Sequence, residues 1–198
     1  MSKIENNTYR VKTDGFHGEL FLPTEDKYPG KSLICFSGSD GNFELSRMLA
    51  SIFQSHGLAT LALAYVMEED LPRQFFHIPI DFLEAATKRL HCMGYEKVGL
   101  WGISKGAELA LTAGSLLPEL VNAVIAVAPM CTVCQGFRME KGISIETGSS
   151  WKFHGKEVPY TAYGLEKFPI SQVFWKSVRA RELTMYDLYQ PLVQNPTP

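Results

Sequence analysis

Gly99-Leu100-Trp101-Gly102-Ile103-Ser104-Lys105-Gly106-Ala107-Glu108 carries more structural information than any other ten residues of this 198-residue chain. Its first half is apolar and strand-like. Its second half opens a run over 105–117 with helical spacing that ends at Pro118. Between them, Gly102-Ile103-Ser104-Lys105-Gly106 fits G-x-S-x-G. Three fixed positions in five recur often by chance, so the string gains meaning only from its context. An apolar strand directly before it and an amphipathic helix directly after it are that context. In this arrangement the serine sits on a tight strand-to-helix turn. Flanking glycines keep side chains out of neighbouring backbone, and the hydroxyl is pushed out over the strand end. The helix directs its positive N-terminal end at charge developing there. Ser104 is therefore the candidate nucleophile; the alternative is an N-cap serine behind an ordinary turn.

The same alternation repeats on either side. Upstream, Ser32-Leu33-Ile34-Cys35-Phe36 is a compact apolar run that breaks into Ser37-Gly38-Ser39-Asp40-Gly41. Residues 42–56 follow with Phe43, Leu45, Met48, Leu49, Ile52 and Phe53 at helical spacing, closed by Gly57. A second buried strand is expected over 58–66, a second helix over 80–93 stopped by Gly94, and a third strand over 98–101. Beyond the 105–117 helix, 123–128 reads as a fourth strand. Strands alternating with helices imply a mostly parallel sheet flanked by helices on both faces. Such strands should be continuously apolar, as these are. The α/β fold class thus stands independently of the motif. Before this core, alternating runs at 8–12 and 17–22 flank Asp14-Gly15 and predict a hairpin. After Pro129 the regularity stops. Residues 131–198 are rich in glycine, proline and aromatics, and predict a lid-like excursion with at most short helices near 171–183. No repeat or linker divides the chain, so 1–198 is expected to be one domain with 1–130 as its sheet core.

Composition narrows the function classes. Nineteen basic against 21 acidic residues give a net charge of −2, which offers no counter-charge for a nucleic-acid backbone. With 45% hydrophobic and 20% charged residues the chain has material for a core, which argues against disorder. No apolar run approaches the roughly 18–20 residues that span a bilayer. The start is polar, without the apolar stretch of a signal peptide. Cys35, Cys92, Cys131 and Cys134 are scattered like reduced thiols rather than a disulfide frame. A cytoplasmic setting is the simplest expectation, with a small molecule as partner and no cofactor.

The glycine-rich stretch 37–41 has a second use. A small loop after the first core strand lets backbone N–H groups converge on one oxygen. With the N–H of Lys105, that of Ser39 or Asp40 would form an oxyanion pair. The alternative is a plain β-to-α turn with an acidic cap.

The chain resembles an α/β-hydrolase, and more narrowly the C-terminal catalytic domain of the acyl-CoA thioesterase and bile acid-CoA:amino acid N-acyltransferase family. The matching residues are Leu61-Ala62-Leu63-Ala64-Tyr65 with Glu69-Asp70-Leu71-Pro72 behind them, and Gly102-Ile103-Ser104-Lys105-Gly106-Ala107-Glu108-Leu109. The resemblance covers roughly residues 31–135. It implies a Ser-His-Asp triad, with serine in thioesterases and cysteine in the conjugating acyltransferases, so Ser104 favours hydrolysis of an acyl ester or acyl-CoA. Only about 30 residues precede the first core strand here, so the N-terminal β-sandwich domain of the eukaryotic pattern is not expected in these 198 residues, which leaves long-chain specificity open.

The order serine, acid, histidine runs out in this chain. His154 is the one histidine after Ser104, and no buried strand precedes it. His17, His56, His77 and His91 have ordinary structural readings, and Asp187 is a late acid with no histidine behind it. The fold would need two more strand–helix units, so the acid and base are expected beyond residue 198. Lys105 reads as a solvated lysine that could meet a CoA phosphate, and Glu108 as a first-turn carboxylate suited to the helix dipole. Cys131-Thr132-Val133-Cys134 has redox spacing but follows a strand, and no second His/Cys pair completes a zinc site, so no metal is expected. A carboxylesterase or peptidase of the same fold, or a non-catalytic binding protein, stay open as alternatives.

Overall fold

The structure, a computed structural model, describes residues 7–130, 132–139 and 142–162. In chain order its elements are β1 (Thr8–Tyr9), α1 (Val11–Asp14), β2 (His17–Phe21), β3 (Lys31–Phe36), α2 (Phe43–Ser55), β4 (Ala59–Ala64) and β5 (Ile78–Pro79). They continue with α3 (Asp81–Cys92), β6 (Lys97–Ile103), α4 (Lys105–Leu116), β7 (Ala123–Val127), β8 (Gln135–Met139), β9 (Ile143–Ser149), β10 (Trp151–Phe153) and β11 (Lys156–Glu157). The described residues separate into two compact units, 7–73 with 80–130 and 74–79 with 132–162.

The first unit is a six-stranded sheet in the order β1-β2-β4-β3-β6-β7. β4, β3, β6 and β7 run parallel, and β2 joins β4 antiparallel. Register shows how sequence becomes a layer. Cys35 stands opposite Ala62 on one side and Trp101 on the other. Period-two alternation therefore puts all three on one face. Against that face α2 packs Ala50, Phe43 and Leu49, and Phe53 meets Trp101 edge-on. Asn42 starts this helix by accepting the Glu44 N–H on its side chain (3.0 Å). The Cys35 thiol donates to Ser46 O (3.3 Å), and burial pushes it up to about 12.

Chain order also sets a topological switch point. β3 leaves through α2 toward β4, whereas its neighbour β6 leaves through α4 toward β7, in the opposite direction. Where adjacent parallel strands part in this way, the loops at their carboxyl ends separate and leave a binding crevice. Residues 37–42 and Ser104 flank that point.

Three expectations need correction. The predicted hairpin pairs as expected, Thr8 with Glu19 and Tyr9 with Gly18, but Val11–Asp14 is a helical turn rather than strand. Asp14 closes it by accepting the Arg10 N–H (2.9 Å) and the Thr13 hydroxyl (2.6 Å), and Gly15 ends it at φ 81°. β7 is not buried on both faces. Ile125 is 48% and Val127 37% exposed, and among the described residues β6 is its one sheet neighbour.

Thirdly, residues 132–139 and 142–162, expected to lack regular strands, form β8 to β11. In the second unit β8 and β9 pair antiparallel, β10 pairs antiparallel with β11, and β5 joins β10 in parallel. His154 and Gly155, at φ 47° and 75°, form the two-residue loop between β10 and β11, as the right-handed twist of a hairpin requires. Glu157 accepts the Ser149 N–H (2.7 Å) and contacts His77 Nε2 (2.7 Å); the hydrogen bond from His77, then that from Ser149, holds its carboxyl below the usual range. The short helices expected near 171–183, and the remainder of the lid-like segment from 163 on, lie outside the described residues.

Candidate active site

Ser104 caps α4 with φ 53° and ψ −118°. Its N–H donates to Val127 O (2.9 Å), and its carbonyl accepts from Ala107 and Glu108 (3.0 and 3.1 Å). The turn is thus held from both sides in a conformation that costs a non-glycine residue about 1–3 kcal/mol. Two glycines make it possible. A Cβ on Gly102 would stand 2.3 Å from Gly106 O, and one on Gly106 would stand 2.1 Å from Ser37 O. The helix behind is rich in small residues, and 105–110 are all buried, while Ser104 itself is exposed. A strained serine thus stands between a parallel strand and a buried helix, at the point where the sheet's connections diverge. This is an α/β-hydrolase fold.

The turn at 38–41 of the α/β-hydrolase core lies directly against this serine. A Cβ on Gly38 would meet Ile103 O and Ser104 Cβ, both at 3.2 Å. Gly41 N–H donates to Gly38 O (3.3 Å), which leaves Ser39 and Asp40 at the two corners. Neither corner N–H makes a hydrogen bond among the described residues. The loop is fixed from below: Ser37 N–H donates to Ser46 Oγ (3.1 Å), and Tyr65 Oη donates to Gly38 O (2.7 Å) and Ser37 O (3.1 Å). The 38–41 turn, which carries Ser39 and Asp40, and the Ser104–Lys105 turn are thus neighbours through Gly38. Tyr65 was not given a role by sequence reasoning.

Lys105 corrects an expectation. It is 6% exposed, and its Nζ is held by both carboxylate oxygens of Glu108, itself 2% exposed, at 2.9 and 2.8 Å. Spacing of i,i+3 on a buried helix face brings them together. Lys105 is thus a buried, carboxylate-paired ammonium rather than a solvated one. No hydrogen bond joins Ser104 Oγ to a histidine among the described residues. His17 is buried; burial first, then the neighbouring Arg10 cation, lowers its pKa. His91 faces Tyr95 O and Leu120 O (2.7 and 2.9 Å), and His56 caps α2. Cys134 is buried, and Cys131 lies outside the described residues.

The chain is similar to human acyl-coenzyme A thioesterase 1, with 36% identity over 119 residues, 58% of this chain and 27% of that protein. It is also similar to rat acyl-coenzyme A amino acid N-acyltransferase 2, with 34% identity over 125 residues, 61% of this chain and 29% of that one. The matched region is thus under a third of the length of these relatives. Among solved structures, dienelactone hydrolase from Anabaena variabilis aligns with TM-score 0.43 and 28% identity over 55% of each chain. The α/β hydrolase GrgF from Penicillium aligns with TM-score 0.49 and 22% identity, over 61% of this chain and 43% of that one. No protein-family model matches. No helix among the described residues is long and apolar enough to cross a membrane.

Proposed function

We propose that this protein is a serine hydrolase of acyl thioesters. Ser104 is the nucleophile, and the backbone N–H groups of Lys105 and of the Ser39–Asp40 turn are the oxyanion donors. The observation that carries this reading is the exposed, strained Ser104 at the N-terminus of α4 with the 38–41 turn against it. Ser104 Oγ bonds to the acyl carbonyl carbon, and its proton passes to a general base. The carbonyl electron pair moves onto oxygen, where the two N–H groups hold it; one such donor is worth about 2.7–4 kcal/mol. Collapse breaks the carbon–sulfur bond, and the thiolate takes up the proton and leaves as thiol. Water then attacks the acyl-serine, releasing the carboxylic acid and restoring the hydroxyl. The thioester preference is supported by similarity to an acyl-CoA thioesterase, and an acyl-CoA donor also by the N-acyltransferase. Free cysteines at 35, 92 and 134 support a reducing compartment.

The test uses the full reading frame that contains this sequence, beside its Ser104→Ala variant. Thiol release from acyl-CoA esters of several chain lengths and hydrolysis of p-nitrophenyl esters are followed together. Ser104-dependent thioester turnover is the expected result. Turnover confined to oxyesters would move the assignment to a carboxylesterase, and none dependent on Ser104 would overturn it.

A further inference from the structure

Tyr65 follows β4 and lies beneath the 38–41 turn, 2% exposed and edge-on to Phe36. Its hydroxyl donates to two successive carbonyls, Gly38 O at 2.7 Å and Ser37 O at 3.1 Å. A trans peptide unit is planar, with its C=O and N–H pointing in opposite directions. The carbonyl of Gly38 and the N–H of Ser39 belong to one such unit. A hydroxyl that holds this carbonyl inward therefore aims the N–H of Ser39 outward, away from the buried phenol. That N–H has no partner among the described residues, and it follows directly on the glycine packed against Ser104.

We propose that Tyr65 is a positioning residue whose hydroxyl, by fixing the Gly38–Ser39 peptide, makes the Ser39 N–H the second oxyanion donor beside that of Lys105. This rests on the serine-hydrolase reading above and assigns one of the two corner residues of the turn. Asp40 N–H belongs to the next peptide, whose carbonyl is not one of the two that the Tyr65 hydroxyl holds. Burial first, then the Asp40 and Glu108 carboxylates, hold the phenol well above its usual range, so it stays a donor at any working pH. Gly38 packs closely in the same place: a Cβ there would stand 3.2 Å from both Ile103 O and Ser104 Cβ.

The experiment compares wild type, Tyr65→Phe and Thr87→Ala in the full reading frame. Thr87 donates a buried hydrogen bond to Leu83 O within α3, so its loss lowers stability away from the turn. Tyr65→Phe is expected to lower kcat roughly ten- to hundred-fold, with KM within about twofold. A trifluoromethyl ketone, which forms an oxyanion with the serine, should lose affinity by the same factor. A thioether analogue without a carbonyl should bind as before. An unchanged kcat, an equal loss in Thr87→Ala at matched Tm, or a parallel loss of thioether affinity would overturn the proposal. Should wild type show no Ser104-dependent turnover, the hydrolase reading fails, and the positioning claim is decided by NMR. Tyr65→Phe must then move the Ser39 amide nitrogen resonance more than that of Asp40, and equal or absent shifts refute it.

Discussion

Ser104 holds φ 53° where glycine would rest without strain, and its neighbours at Val127, Ala107 and Glu108 keep it there. The stored strain predicts a preference for glycine. Ser104→Gly should be about 1 kcal/mol more stable than Ser104→Ala in chemical denaturation and at least as stable as wild type, and under the proposed function both variants lose hydrolysis. At an ordinary N-cap serine, the glycine variant would instead fall about a few tenths of a kcal/mol below wild type. His17 supplies a pH dependence. Its folded pKa is lowered, so below pH ~6.5 the unfolded chain binds a proton that the folded chain resists. Stability is thus complete above that value and falls as the pH drops, levelling once the folded ring is also protonated. Denaturation midpoints between pH 7 and 5 should show this slope, and His17→Gln should flatten it. A slope unchanged by the substitution would assign the effect to other groups.

The helix behind the serine is built around one ion pair that nothing on the surface reveals. Lys105→Met leaves the Glu108 carboxylate buried without its cation, an arrangement that costs about 3–5 kcal/mol. Replacing both, as Lys105→Met with Glu108→Leu, should return the Tm close to wild type. A double variant as unstable as the single one would mean that the pair is not self-contained. The same element explains what sequence could and could not yield. The glycines at 102 and 106 and the apolar runs of β3, β4 and β6 are legible, because backbone contact and two-sided burial each demand a residue type. Burial of Lys105 was not legible, since a charged residue at a helix start is ordinarily solvated and its partner lies three residues on. Val11–Asp14 was missed because one turn closed by a single aspartate has no periodicity to detect. β8 and β9 were missed because polar residues such as Gln135, Arg138, Glu146 and Thr147 interrupt their apolar pattern. Tyr65 acts through carbonyls distant in sequence, which no local pattern encodes.

At the scale of the first unit, the sheet among the described residues ends in a short strand at one edge and a longer one at the other. β1 is a two-residue edge strand, too short to recruit a partner, whereas β7 presents Ile125 and Val127 beside an unpaired backbone edge among the described residues. A preparation of residues 1–198 should therefore show concentration-dependent association in sedimentation, and Ile125→Lys should weaken it without changing the Tm by more than about 1 kcal/mol equivalent. Monomeric behaviour of both proteins at high concentration would show that this edge is covered. Finally, the thiol that fills the sheet face under α2 amounts to a built-in clock. Cys92 is exposed and should be alkylated within the mixing time, whereas Cys35 carries almost no thiolate and can react only when α2 lifts from β3. Cys134 is likewise buried, and it belongs to the second unit. With Cys92 capped first, mass-mapped alkylation at 35 and 134 times the opening of each unit separately, in native buffer and with no engineered label.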